Sequence, residues 1–236
     1  MYEYLIGVVV LLGGSWAILF LSRKGLRRHM IWGSVGYLLV VTVGWFFVYL
    51  LSQFTNIGDA VVPAYWSPKT LFNFGMITGG YAIEDALFSF FVGGIATVIY
   101  EIIFRKVAKL KVKHRHHLAA LFLGAVLTGI FAYLFRPNQI YTLIFFGFSG
   151  AILIWIMRKD LIPHSLFGGA LFTMFYFLGF FFFNLLFPHF IAEHYNLKNI
   201  SGILIGSVPL EEILYALSFG MLWAPVYEYE HGVKLN

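Results

Sequence analysis

Two adjacent carboxylates, Glu211 and Glu212, occupy the run Ser207-Val208-Pro209-Leu210-Glu211-Glu212-Ile213-Leu214-Tyr215, inside a stretch otherwise apolar enough to enter a bilayer. A second pair, Glu84 and Asp85, sits in Ala82-Ile83-Glu84-Asp85-Ala86-Leu87-Phe88. An ionisable side chain at membrane depth costs about 2.5 to 3.5 kcal/mol on insertion scales, so four retained acids point to use. Acids held close titrate as a set that shares a proton, the arrangement a proton donor needs beside a proton acceptor. Phe88, Phe91 and Tyr215, one or two turns beyond the acids, are placed to line an apolar pocket and steady a cation on their ring faces. Asn184 could reach a carboxylate in the interior.

Such acids need elements that hold them at depth. The chain has 236 residues, 60% hydrophobic and only 11% charged, against about 25% charged in soluble domains. It is an integral membrane protein. Seven apolar runs, residues 4–21, 30–51, 71–104, 118–135, 139–157, 164–187 and 200–227, approach or exceed the roughly 20 residues a bilayer asks of a helix. They are continuously apolar and do not alternate, which predicts helices and excludes a barrel. The first run opens on Glu3 in place of a basic region and reads as a span that stays.

Charge sets the orientation. Thirteen Lys and Arg fall on one side of the runs (Arg23, Lys24, Arg27, Arg28, then Arg105, Lys106, Lys109, Lys111, Lys113, Arg115, then Arg158, Lys159, and Lys234) and three, Lys69, Arg136 and Lys198, on the other. This predicts an outside N-terminus and a cytoplasmic C-terminus, in the plasma membrane. The net charge of +5 belongs to short loops, so nucleic acid is not an expected partner, and the basic run 106–117 reads as a cytoplasmic linker meeting anionic lipid.

The halves repeat. A shift of 127 lays Glu84, Asp85, Leu87, Gly93, Tyr100 and Glu101 over Glu211, Glu212, Leu214, Gly220, Tyr227 and Glu228. A shift of 135 lays Arg23, Lys24, Leu26, His29, Gly33 and Gly44 over Arg158, Lys159, Leu161, His164, Gly168 and Gly179. The expected architecture is all-α, seven transmembrane helices in a single membrane domain: repeat one over 1–104, a linking helix over 118–135 that restores the orientation, and repeat two over 139–228. Parallel repeats of this 3+1+3 plan put equivalent acids at equal depth, facing a shared interior. Gly79-Gly80 and Gly206 predict breaks before the acids, with Pro209 in the first turn of a restarted helix. Glu101 and Glu228 are expected at the cytoplasmic interface, with His29 and His164 as interfacial caps.

No thiol exists for a disulfide, a metal or a nucleophile, and no D-D-x-x-D, G-x-G-x-x-G or H-E-x-x-H is found. The seventh run has no lysine for a retinal Schiff base. Neither cofactor nor metal is expected.

The motif Pro209-Leu210-Glu211-Glu212, its variant Ala82-Ile83-Glu84-Asp85 and the doubled three-span layout resemble the lycopene cyclase domain family, in its single-chain fused form. The first copy departs at Ala82, where proline is the pattern, and at Asp85. The resemblance implies a cofactor-independent cyclase that closes the ends of lycopene or a similar lipophilic carotenoid into rings without net redox change. It implies Glu211 and Glu84 as the acid and base set, with Glu212 and Asp85 tuning them or relaying protons. Two other readings fit the same layout, a small-solute or proton-coupled transporter and a non-catalytic carotenoid-binding protein.

Overall fold

The computed structural model describes residues 2–105, 108–111 and 118–235; of the basic run, residues 106, 107 and 112–117 lie outside the described residues. In chain order the helices that matter here are α1 (Glu3–Ser22), α2 (Lys24–Ser52), α3 (Ile83–Phe104), α4 (Ala119–Phe135), α5 (Gln139–Met157), α6 (Lys159–Leu186), α7 (Leu210–Trp223) and α8 (Val226–His231). Among the described residues, α1, α2, α3, α5 and α6 are long and apolar enough to cross a membrane. The chain is an all-α membrane protein. Helix α4 has 17 residues, and α7 only 14 before a break at Ala224-Pro225 leads into α8.

The apolar runs 71–104 and 200–227 are helical over only part of their length. Before α3 come the short turns Leu71–Asn73 and Phe74–Ile77, followed by Gly79 and Gly80 at φ of 72° and 116°. Before α7 a hairpin pairs Leu204–Ile205 with Val208–Pro209 around Gly206, whose φ is 54°. Positive φ in consecutive residues ends any helix, so α3 and α7 begin late. Pro209 is therefore the N-cap residue, ahead of the first turn where the sequence places it.

Two helix crossings carry the core. Helix α3 packs on α2, where a Cβ added to Gly93 would lie 2.6 Å from Gly33 O and from Tyr37 Cβ. Helix α7 packs on α6, where a Cβ on Gly220 would lie 2.9 Å from Gly169 Cα and from Phe172 Cβ. Glycine is what lets these backbones approach, as is common between membrane helices. Tyr37, Val92, Ile95, Phe172, Tyr176, Phe219 and Trp223 fill the space where the four helices meet, and Trp223 Nε1 donates to Gly33 O at 3.3 Å. Ala108–Lys111 pairs antiparallel with Val233–Leu235.

Candidate active site

Both acidic pairs lie in the first turn of their helices, where the unpaired N–H groups and the helix dipole favour carboxylates. The two turns differ at the cap, and that difference decides where the second acid points. Ala82 has an N–H, and it donates to Asp85 Oδ2 at 2.7 Å, so Asp85 folds back as half of a capping box. Pro209 has no N–H to offer. Glu212, three residues on, does not fold back and extends into the bundle instead.

There it meets three phenols. Tyr65 and Tyr195 donate to Glu212 Oε1 at 2.7 and 3.0 Å, and Tyr176 to Oε2 at 2.7 Å. Three O–H donors on two oxygens favour the ionised form of this carboxyl, which only accepts, and offset part of the cost of its burial. Tyr176 stands on α6, whereas Tyr65 and Tyr195 come from the connections before α3 and before α7. Those connections are tied together: Ser67 N donates to His194 O at 2.7 Å and Asn196 N to Tyr65 O at 2.9 Å. Burial, then the Glu212 carboxylate, push the Tyr65 and Tyr195 phenols well above their usual range, so both stay protonated donors.

Glu211 faces the other way. Its Oε1 accepts from Tyr141 OH at 2.8 Å and from Ser201 N at 2.9 Å, while Oε2 is buried without a partner. Glu84 mirrors this: Oε1 accepts from Leu71 N at 2.7 Å and Oε2 is buried without a partner. Each first acid thus pins the connection that precedes its helix and keeps one free oxygen. Asp85 Oδ1 takes Tyr4 OH at 2.7 Å. From Tyr4 the aromatic contacts run to Trp66 at 4.6 Å and on to Tyr195 at 5.7 Å, so both second acids border one aromatic cluster.

Of the expected pocket residues, Phe88 meets Tyr176 edge-on at 6.2 Å, and Tyr215 shares a 2.6 Å hydrogen bond with Tyr37 inside the same cluster. Phe91 turns toward α1 and packs on Trp16 and Gly13. Asn184 does not bond a carboxylate; its amide donates to Ser207 O and Oγ at 3.1 and 3.3 Å and steadies the hairpin before Pro209. Glu101 and Glu228 are buried against protein, beside His29 and His164, near the end of α3 and in α8. Tyr4, Tyr65, Tyr141, Tyr176 and Tyr195 escape the sequence reading. Their signal is chemical: 14 tyrosines in so apolar a chain need partners for their hydroxyls, and the four acids are the strongest acceptors at hand.

A family model described as lycopene cyclase matches residues 3–103 and 138–230, most of the chain in two blocks that leave out α4. No curated protein and no solved structure matched the chain.

Proposed function

The chain belongs to the lycopene cyclase family, and from that premise we propose that it closes the end of lycopene or a related carotenoid into a ring by acid and base catalysis without a cofactor. The observation that carries the reading is the division of labour at Glu211 and Glu212: a buried carboxyl with a free oxygen beside one that takes hydrogen bonds from three tyrosines, which favour its ionised form. The free Oε2 of Glu211 is where a proton can reside and be delivered to the terminal double bond. The resulting tertiary cation closes on a neighbouring double bond of the same chain, forming the ring carbon–carbon bond. Glu212 stabilises the cation and accepts the proton lost from the ring carbon, so the product has the composition of the substrate. The tyrosines hold the Glu212 charge in place before reaction, so little reorganisation is needed as the cation forms. Phe88, Tyr176, Tyr215 and Phe219 supply ring faces beside it and keep water away.

In this reading repeat two carries the proton transfers. Asp85, turned back onto its own helix, supports the fold, and Glu84 holds the 71–77 segment. Our placement of the chain is the plasma membrane with an outside N-terminus and a 3+1+3 arrangement, on the loop charges and the repeat.

Expression in a lycopene-producing bacterial host tests the activity. Chromatography is expected to show monocyclic or bicyclic carotenoid; unchanged lycopene with the protein inserted in the membrane would contradict it. Glu211→Gln is expected to abolish ring formation in a folded protein, whereas Glu84→Gln, which still accepts from Leu71 N, is expected to cost less than about 10-fold.

A further inference from the structure

At the opposite end of the bundle from the acidic pairs lies a second buried set of ionisable groups. Asp85 and Glu101 are separated by 16 residues of α3, about 24 Å of helix. Glu101 is 2% exposed, Glu228 0% and His164 3%. His29 Nδ1 lies 3.4 Å from Glu101 Oε1, and His164 Nδ1 lies 3.7 Å from Glu228 Oε2. One ligand atom from each of His29, Glu101 and Glu228 falls within 4.8 Å of the other two. Each half of the chain therefore brings one histidine and one glutamate. Each imidazole also stacks on a tyrosine of the other half, His29 on Tyr227 at 3.8 Å and His164 on Tyr100 at 4.2 Å, which fixes the ring planes.

Both His164 nitrogens are buried with no hydrogen-bond partner, and Glu101 Oε2 and both Glu228 oxygens have none other than each other's carboxyl. Native interiors rarely leave so many polar atoms unanswered in one place. Arg158 does not answer them: Nη1 reaches the Glu228 backbone carbonyl at 3.3 Å, and Nε and Nη2 hold Asp160.

We propose that His29, Glu101 and Glu228, completed by His164, bind one first-row divalent cation, such as zinc, manganese or iron(II), and so clamp the two halves together. Two imidazoles and two carboxylates are the donor set such ions take. Bonds of about 2.1 Å in a tetrahedron give ligand-to-ligand edges of about 3.4 Å, close to the observed 3.4 and 3.7 Å. A proton shared by the two carboxylates would leave the His164 nitrogens unanswered; a cation at the His29, Glu101 and Glu228 atoms gives His164, which stands outside that 4.8 Å group beside Glu228, a fourth ligand position to move into. The inference is independent of the cyclase reading, since neither the ligands nor the test involves a carotenoid.

Full-length protein purified in detergent and stripped with a chelator is offered Zn2+, Mn2+ or Fe2+ separately, and bound metal and melting temperature are measured. About one equivalent of at least one ion, with a rise in melting temperature on rebinding, is the expected result. Glu228→Gln and His164→Ala should weaken binding at least about 10-fold. His29→Gln, at the more exposed edge of the cluster, serves as the gentler variant if those two do not fold. Wild-type protein that takes up none of the three ions, or variants that bind as wild type does, would overturn the proposal. So would a melting temperature that no ion moves while Glu228→Gln raises it, the signature of two carboxyls sharing a proton.

Discussion

One missing N–H separates two acids that occupy matching places in the repeat. Ala82 caps its helix through Asp85; Pro209 leaves Glu212 free to enter the tyrosine cluster. Pro209→Ala should restore a donor at the cap and draw Glu212 back. The expected result is a folded protein with greatly reduced ring formation in lycopene-producing cells, and unchanged product yield would show that the proline does not orient the acid. Tyr176→Phe removes one hydrogen bond to a charged group, worth about 1.5 to 3 kcal/mol, so the rate should fall about 10- to 100-fold. A rate within a factor of two of wild type would detach Tyr176 from the chemistry. The four acids were legible in the sequence because charge in an apolar run has a cost that use must offset. The tyrosines were not, since a phenol is unremarkable in a membrane helix until its partner, 17 to 147 residues away for Glu212, is known.

Among the elements, helix α3 against α2 and helix α7 against α6 set the distances over which those residues act. Gly93 and Gly220 sit at backbone-to-backbone contact, so a methyl at either must displace main chain. Gly220→Ala is expected to destabilise by about 1 to 3 kcal/mol, read as a lower melting temperature in detergent. Gly14→Ala, where a Cβ meets nothing within 4 Å, should not lower it. Equal behaviour of the two variants would remove close packing as the reason for Gly220. Hydropathy located these helices but misplaced the starts of two. Residues 71–77 and 200–209 are as apolar as helix, yet Gly79, Gly80 and Gly206 turn the chain, and the freed segments supply the backbone N–H groups of Leu71 and Ser201 to Glu84 and Glu211. Hydropathy responds to apolarity and not to φ, so a loop built from apolar residues looks the same as a span.

At the scale of the whole molecule, the doubled pattern was the most informative feature of the sequence. It matched Gly93 with Gly220, which occupy like positions in the two crossings, one against Tyr37 and the other against Phe172. It also matched His29 with His164 and Glu101 with Glu228, but gave no sign that these would meet, because contacts across the middle of a bundle leave no local spacing to read. Loop charges predict that a reporter fused after Asn236 faces the cytoplasm and one inserted at Pro137 faces outside; the reverse pattern would overturn the orientation. The central claim is the proposal that Glu212, hydrogen-bonded by Tyr65, Tyr176 and Tyr195, accepts the ring proton while Glu211 delivers the first one. Its most direct test is Glu212→Gln in lycopene-producing cells, with membrane insertion verified and carotenoids separated by chromatography. Loss of cyclic product by at least about 100-fold beside an active wild type is the predicted result. Ring formation at the wild-type level by that variant would contradict it.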